Sequence, residues 1–421
     1  MSGLRAWALM LCACLPAGAL AQDPLPIIRE IVFDGNEVTQ PKIMLREMVI
    51  KPGDAADPGL IERSRQGVQD LGLFRSVGVR QEPVDGGVRL VFTVKEKYYI
   101  LPLPRADASS DGGYGYGVQL RWVNVWGLNH SFTPTFSRRK SSEGSADTEE
   151  RGLQAHYRMN YQAPFVFDSP YGVGISYGRF ETPYITPLIY DETLQTASMG
   201  VSRKLSDEPG SRGWFASVGL NWRDQSTRGA AAPPEDGQAR SLSAFASYRD
   251  LHFNIYSDEG LSYSFGAESA GRDYGSDYHL TTWSANYARY IALGETPHQT
   301  VHFFANTASR HGGPPGGQQA FSLGGVGSLR GFEPETAQGD FYYLFSAEYL
   351  RPVFRRSIRA LAVVDAGNAF PEPGDLNFDK VYLSAGLGVR VRIQAFVNLE
   401  LELGMAWPLN GGSPRFFASK I

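Results

Sequence analysis

Three places along the chain carry residue types that could do chemistry. Gly174-Ile175-Ser176-Tyr177-Gly178 has the G-x-S-x-G spacing that presents a nucleophilic serine. That chemistry needs a strand, a sharp turn and then a helix, so that the hydroxyl stands clear of the backbone. Here an alternation of apolar and small polar residues runs straight through the motif and puts Ser176 on the face of the glycines, so catalysis is not expected. His298 and His302 stand four apart and mimic a helical zinc pair. On a strand they would lie ~13 Å apart, too far to share one ion. Neither a phosphate loop nor a carboxylate pair stands out, and no enzyme activity, cofactor, nucleotide or metal is expected. The third place is FSLGGVGSLRGFEPETAQGD, residues 321–340, where Arg330 sits alone among glycines and apolar residues and Phe332 follows. It is too flexible for a helix and too interrupted for a strand, and reads as a long loop. What its arginine serves depends on the elements around it.

The first 21 of the 421 residues read as a secretory signal, with Arg5 as the charge, Ala6 to Leu15 as the apolar core and Ala19-Leu20-Ala21 as the cleavage site. Lipidation at Cys14 is the alternative, fitted poorly by the preceding Cys12-Ala13. The chain's 2 cysteines are Cys12 and Cys14, so a processed chain would hold no disulfide or thiolate metal site. Removing Arg5 leaves 39 basic against 44 acidic residues, a net charge of −5, which excludes a nucleic-acid footprint. The 47 glycines, 21 tyrosines and 24 phenylalanines come with no later apolar run long enough for a membrane helix. An exported chain of this kind points to a transmembrane β-barrel, with a secreted β-sandwich or propeller as the alternative.

Residues 26–97 mix two periods. PIIREIVFDGNEV reads as a strand closed by a Gly-Asn turn. TQPKIMLREMVI reads as a helix with Thr39 as N-cap and Pro41 in its first turn. Asp57 and Pro58 open a second helix, in which Leu60, Ser64, Val68 and Leu71 share one face before Gly72 ends it. Two strands then flank Asp85-Gly86. The order is β-α-α-β-β, a small α+β domain with one core.

From Tyr98 to Ile421 the helical period is replaced by strict alternation. In VYLSAGLGVRVRI, every second residue from Val381 to Ile393 forms the apolar face, against Ser384, Gly386, Gly388, Arg390 and Arg392. In VNLELELGMAW, Val397, Leu399, Leu401, Leu403, Met405 and Trp407 oppose Asn398, Glu400, Glu402 and Gly404. Strands of ~10 residues repeated without a helix favour a membrane barrel over a soluble sandwich. Eleven strands are expected between 98 and 310. Five more are expected at 340–354, 359–370, 380–394, 396–409 and 414–421, an even total of sixteen.

The quoted loop then falls between strands eleven and twelve. Its Ser328-Leu329-Arg330-Gly331-Phe332 resembles the V-R-G-F/Y motif of the BamA/TamA superfamily of outer-membrane assembly factors, which join periplasmic POTRA domains to a sixteen-stranded barrel. The 26–97 pattern is similar to a POTRA domain, including IVFDGNEVT and LGLF. The resemblance implies that the loop folds back into the lumen and that Arg330 pairs with an acidic residue of an F-x-D-x-G motif on strand thirteen. Val363-Val364-Asp365-Ala366-Gly367 stands there, which makes Asp365 the implied partner and Gly367 part of the wall motif. A lumen carboxylate is costly alone, and a guanidinium offers it two parallel donors. Leu329 replaces the family's Val and Val363 its Phe.

The organisation expected is a signal peptide at 1–21, one POTRA domain at 26–97 and a barrel at 98–421. The resemblance implies a factor in the outer membrane of a Gram-negative bacterium, with its POTRA domain in the periplasm. Such a factor inserts client barrels or exports polypeptides. Its partners would be unfolded outer-membrane or secreted polypeptides, outer-membrane lipid and periplasmic chaperones, with no nucleic acid. The alternatives are a passive or gated channel, a membrane anchor for a separate lipase-like partner, and an esterase using Ser176. Pro102 and Pro104 in the first barrel strand remove ladder donors and weaken its seam with the last. Outer-membrane barrels commonly finish on an aromatic residue, whereas this sequence ends on Ile421, four residues after Phe417.

Overall fold

A computed structural model describes residues 24–108, 114–140, 154–184, 190–229, 237–313 and 320–420; the expected signal peptide lies outside them. The chain begins with β1 (Ile28–Asp34), α1 (Pro41–Arg46), α2 (Pro58–Asp70), β2 (Phe74–Val84) and β3 (Gly87–Glu96). β3 is central, parallel to β1 and antiparallel to β2. Asp57 caps α2 by accepting from the Leu60 amide at 2.9 Å, and Pro58 occupies its first turn. Two details differ from the expected pattern. The N-cap of α1 is Gln40. Thr39 is held one residue earlier, because the Glu96 carboxylate accepts its amide at 2.7 Å. In α2 the buried stripe is Ile61, Ser64 and Val68, and Leu60 turns outward. The core of this unit joins Ile28, Met44, Ile61, Val68, Leu73, Phe74, Leu90 and Phe92.

Sixteen antiparallel strands follow in one sheet. The first eleven are β4 (Ile100–Ala108), β5 (Tyr114–Val125), β6 (His130–Lys140), β7 (Gln154–Ala163), β8 (Tyr171–Tyr184), β9 (Tyr190–Lys204), β10 (Gly213–Arg228), β11 (Gly237–Asn254), β12 (Ser257–Ala270), β13 (Leu280–Ala292) and β14 (Thr300–Gly312). The long loop comes next and contains a short ribbon of β15 (Phe321–Leu323) with β16 (Ala337–Gly339), which the loop's glycines had hidden. Then come β17 (Phe341–Pro352), β18 (Ile358–Phe370), β19 (Tyr382–Arg392), β20 (Glu400–Pro408) and β21 (Arg415–Lys420). Every neighbour is the next strand in sequence, with the loop ribbon skipped. The strand number and the antiparallel barrel are those read from the alternation.

The alternation sorts side chains by face. Leu387, Leu403, Met405 and Trp407 stand exposed on the outer wall, while Ser384, Arg390, Arg392, Glu400 and Glu402 are buried inside. The pattern fails at Val397 and Leu399. The expected strand from 396 begins only at Glu400, because residues 393–399 form a turn, and Val397 packs into the core of the small domain.

Short turns lie at one rim and long loops at the other. The small domain sits on the short-turn rim. Gln40 donates its amide to Gly127 O at 3.0 Å. Lys42 pairs with Asp168 at 3.0 Å, and the Arg46 guanidinium lies 3.9 Å from the Phe165 ring centroid. Glu47 accepts from the Ser211 amide at 2.9 Å. Asp70 accepts from the Phe253 amide at 2.8 Å and meets His252 Nδ1 at 2.9 Å. Tyr98 donates its amide to Ala395 O at 2.8 Å, bringing the start of the barrel beside its penultimate turn.

Candidate functional site

The loop that carries Arg330 is fixed before its arginine is. The β15–β16 ribbon narrows its base, and Leu329 is fully buried among Leu323, Ala337, Leu344 and Ala369. Inside, the Gly325 amide donates to Leu329 O at 3.1 Å and to Phe332 O at 3.0 Å, and the Ser328 hydroxyl accepts the Gly324 amide at 2.8 Å. Phe332 meets the Tyr382 ring edge-on, 5.2 Å between centroids. At Gly331 an added Cβ would lie 2.6 Å from Ser384 Cβ and 3.1 Å from Pro408 N, so any side chain would lift the loop off the wall. On β18, a Cβ at Gly367 would lie 2.6 Å from Tyr343 O of β17, so that glycine keeps the two strands in register beside the site.

These constraints aim Arg330 into the lumen against β17, β18 and β20. Its Nε donates to Asp365 Oδ2 at 2.9 Å and its Nη2 to Asp365 Oδ1 at 2.8 Å, a two-point grip. The Arg330 amide adds a 3.2 Å bond to Oδ2 of the same carboxylate. Nη1 donates to Glu348 Oε1 at 2.8 Å and to Glu402 Oε1 at 3.1 Å. Nη2 also donates to Ser346 Oγ at 2.8 Å, and that hydroxyl bonds Asp365 Oδ1 at 2.7 Å. All five N–H bonds of the guanidinium have acceptors. Arg330 is 8% exposed and Asp365 1%, so water contributes little here.

Arg390 completes the cluster from β19. Its Nη2 donates to Glu348 Oε2 at 2.8 Å and its Nε to Glu402 Oε2 at 2.8 Å. Two guanidinium groups thus face three carboxylates, and Glu348 and Glu402 bridge them. A second layer lies nearer the short-turn rim. There Arg392 reaches across the lumen to Asp258 of β12, with bonds of 3.1 and 2.8 Å, and pairs with Glu400 on β20.

The structure therefore brings Arg330 and Asp365 together and adds three charged members the sequence reading did not assign to the site: Glu348, and Glu402 and Arg390, which it placed only on the polar face of their strands. Their signal was present. They are charges on the glycine-and-serine face of strands, and an inward charge in a barrel needs an inward partner. His298 and His302 do not converge. His298 lies in the β13–β14 turn beside Ser257 at 3.1 Å, and His302 lies on β14 beside Thr300 at 2.9 Å. Ser176 lies mid-strand in β8, with its hydroxyl 2.6 Å from that of Ser198. The strand–turn–helix that exposes a nucleophile is not formed there.

Beneath the charged layers, a cavity of about 460 Å³ separates the small domain from the lumen, lined by Asp70, Arg249, His252, Asp258, Arg392 and Glu400 among others. The junction of the small domain with the rim carries titratable groups outside the strands. Burial raises the Asp70 and Glu47 carboxyls above their ordinary values. Lys97 donates to Gly72 O at 2.7 Å and lies 4.4 Å from the Phe253 ring centroid. Burial, and then the charge of Arg392, lower its pKa to about 8.

At the sheet's two ends, β4 pairs with β5 and the six-residue β21 pairs with β20. Among the described residues no ladder joins β4 to β21. Pro102 and Pro104 in β4 carry no amide hydrogen to offer such a ladder.

Comparison with known proteins places this geometry. Residues 124–412 match the Omp85 superfamily domain. Residues 26–97 match the POTRA family, described as a surface antigen variable number repeat. Over 150 residues, 35% of the chain, the sequence is 28% identical to the outer membrane protein assembly factor BamA of Neorickettsia risticii (strain Illinois). That match spans 19% of the relative's length. Among solved structures, BamA from Haemophilus ducreyi lacking POTRA domains 1–3 aligns with a TM-score of 0.55 and 16% identity, over 94% of this chain and 85% of that one. CdiB from Acinetobacter baumannii aligns at 0.59 and 16%, over 91% and 70%. At these identities the likeness is one of fold.

Proposed function

The chain belongs to the Omp85 superfamily, and on that premise we propose that it inserts client barrels into, or exports polypeptides across, the outer membrane of a Gram-negative bacterium. In this reading residues 1–21 are a signal peptide, 26–97 a periplasmic POTRA domain and 98–421 the membrane barrel. Leu329, Arg330, Gly331 and Phe332 form the lumen-loop motif, and Asp365 and Gly367 its wall partner. The observation that carries the reading is the docking of Arg330, a single side chain that ties a long loop to three wall strands through Asp365, Glu348 and Glu402. A passive pore gains nothing from a loop so fully engaged in its own lumen. A barrel that must stay closed until a client arrives does.

Clients in this reading are unfolded polypeptides that add a strand to the POTRA sheet. Its β2 edge pairs with β3 alone. The opposite edge, at the start of β1, is covered, since Ile28 donates its amide to Asp54 O at 2.9 Å. β2 is therefore the edge offered, with periplasmic chaperones as the suppliers of clients. Lipid meets the exposed outer wall, and no step calls for a cofactor. The unladdered β4–β21 seam and the lumen are the two routes onward.

The test is quantitative proteomics of outer membrane and culture supernatant with and without this gene. Loss of a few barrel proteins identifies an insertase, and loss of a secreted protein identifies an exporter. If every other protein keeps its level, the reading falls. A channel, or an anchor for a separate lipase-like partner, then takes its place.

A further inference from the structure

The seven short turns of the barrel differ in charge. Those at 126–129, 255–256 and 393–399 hold no charged residue. Three others are net negative: 164–170 through Asp168, 205–212 through Asp207 and Glu208 against Arg212, and 293–299 through Glu295. The β17–β18 turn, residues 353–357, is the only positive one, with Arg355 and Arg356. Arg351 and Arg359 flank it, and no acidic residue occurs between Glu348 and Asp365.

These arginines sort by face. Arg359 turns inward, 1% exposed, with Glu400 3.6 Å away. Arg351 faces outward, two residues beyond Tyr349 of the outer wall, and the alternation of β17 puts the two on one side. Arg351, Arg355 and Arg356 are exposed and have no ion pair among the described residues. Between them Val353 is 61% and Phe354 79% exposed, and the Arg355 guanidinium lies 5.8 Å from the Phe354 ring centroid. The tip is held in this shape. Val353 donates its amide to Ile358 O at 3.2 Å, Ile358 donates to Arg355 O at 2.9 Å, and Arg392 donates to Ser357 O at 3.0 Å. The small domain leaves this arc of the rim bare. Its bonds and packing reach the turns around Gly127, Asp168, Ser211, Phe253 and Val397, and none described reaches 353–357.

We propose that the β17–β18 turn docks on anionic phospholipid of the periplasmic leaflet, with Val353 and Phe354 at the acyl boundary and Arg351, Arg355 and Arg356 on the phosphates. The order along the chain is an apolar wall, an aromatic tip and then unpaired guanidinium groups. That is the order of a bilayer leaflet, from acyl chain to charged headgroup. A guanidinium offers a phosphate two parallel donors, and its stem lies along apolar surface. The turn continues the outer wall, so lipid reaches it without leaving the face it already covers. The inference rests on the reading that sets lipid against that wall and the short turns in the periplasm. The small domain then holds one arc of the rim and lipid the other.

The test places a photoreactive benzoylphenylalanine at position 354 of the full chain, in vesicles of equal phosphatidylethanolamine and phosphatidylglycerol, and identifies the adducts by mass spectrometry. A basic residue near an anionic surface strengthens attachment about fivefold, and three of them on the order of a hundredfold. Adducts at 354 should therefore favour phosphatidylglycerol at least ~10-fold. The same probe at position 245, where Phe245 is exposed on the outer wall of β11, should take both lipids equally. Arg351→Gln, Arg355→Gln and Arg356→Gln together should abolish the preference at 354. These side chains are exposed, so the barrel should still assemble, and adducts at 245 report that it has. Equal adducts at 354 in the unaltered chain, or a preference that survives the triple variant, would overturn the proposal. So would a preference lost to inorganic phosphate at constant ionic strength, which marks a site for the free ion. An adduct with a protein in place of lipid, when the probe is used in cells, would overturn it as well. Lipid at 245 without lipid at 354 removes the docking turn and leaves the barrel in its membrane. No lipid at either position removes the membrane reading too.

Discussion

At the long-loop side, Arg330 satisfies five N–H bonds with four side chains drawn from three strands. At the short-turn side, the POTRA domain meets the rim through contacts dispersed over the turns around Gly127, Asp168, Ser211 and Phe253. Both close the same lumen. One closure is concentrated in buried, oppositely charged groups. The other is spread over main-chain bonds, the Lys42–Asp168 ion pair, cation–ring contacts and buried ionisable groups such as Asp70, Glu47 and Lys97. The concentrated closure is all-or-none, since losing the arginine removes every partner at once. The dispersed closure yields by steps and responds to protons.

The sharpest way to break this comparison is Arg330→Ala. It leaves Arg390 alone facing Asp365, Glu348 and Glu402. Removing one partner of a buried ion pair costs about 3–5 kcal/mol, and here three carboxylates are left. We expect the loop to undock, the barrel to lose a similar amount of stability, and client handling to stop. Urea unfolding and amide exchange in residues 324–333 measure the first two. Near-native loop protection would mean that Leu329 and Phe332 hold the loop and the ions do not. Asp365→Ala is the smaller insult, because it leaves two guanidinium groups against two carboxylates and Arg330 still grips Glu348 and Glu402. About 1–3 kcal/mol is expected. The Arg330→Ala, Asp365→Ala double variant should be more stable than Arg330→Ala alone, since it removes a stranded charge. Strict additivity would show that the two do not act as partners.

For the dispersed closure the sharpening variable is pH. Lys97 has a folded pKa of about 8 against an ordinary 10.5. The unfolded or released lysine therefore binds more protons than the docked one between those values, and docking strengthens as pH rises from about 8 to 10.5. The gain is on the order of 3 kcal/mol across that window. Asp70 and Glu47 act in the opposite sense. Their folded values are raised, so their contribution is present at low pH and lost as pH rises through those values. Below about pH 8 the docked Lys97 weakens the POTRA seat in full, while Arg330 at the other end stays fully charged. The urea midpoint for domain release, followed by a dye on an Arg63→Cys variant, should climb above pH 8. Lys97→Met should remove that climb. A midpoint equally steep in Lys97→Met would assign the slope to other groups.

The two closures also differ in how much of them the sequence discloses. Alternation gave the faces of β19 and β20, and the Leu329-Arg330-Gly331-Phe332 motif pointed to Asp365. Glu348, Glu402 and Arg390 stand at inward positions of the same alternation, so inward charge alone would have nominated them as partners. The POTRA seat left no comparable trace. It joins residues far apart in sequence, such as Asp70 and Phe253, and often uses main-chain groups that any side chain supplies. Val397 shows the cost. Its period placed it on the outer wall, but the turn before Glu400 rotates it into the domain core.

The smallest effect belongs to a wall that neither closure uses. Ser176 shares one hydroxyl–hydroxyl bond of 2.6 Å with Ser198, on β8 and β9, opposite the charged strands. Ser176→Ala leaves Ser198 beside a lumen where water can replace the lost partner, so stability should move by no more than about 0.5 kcal/mol. Loop protection and client handling should stay at the level of the unaltered protein. Ester hydrolysis is the discriminating readout. Turnover by the purified protein that disappears in Ser176→Ala would give this wall a chemistry of its own. It would also break the assignment of function to the loop and the POTRA seat. No turnover, with both closures intact, leaves the motif as a coincidence of small residues on a lumen-facing strand.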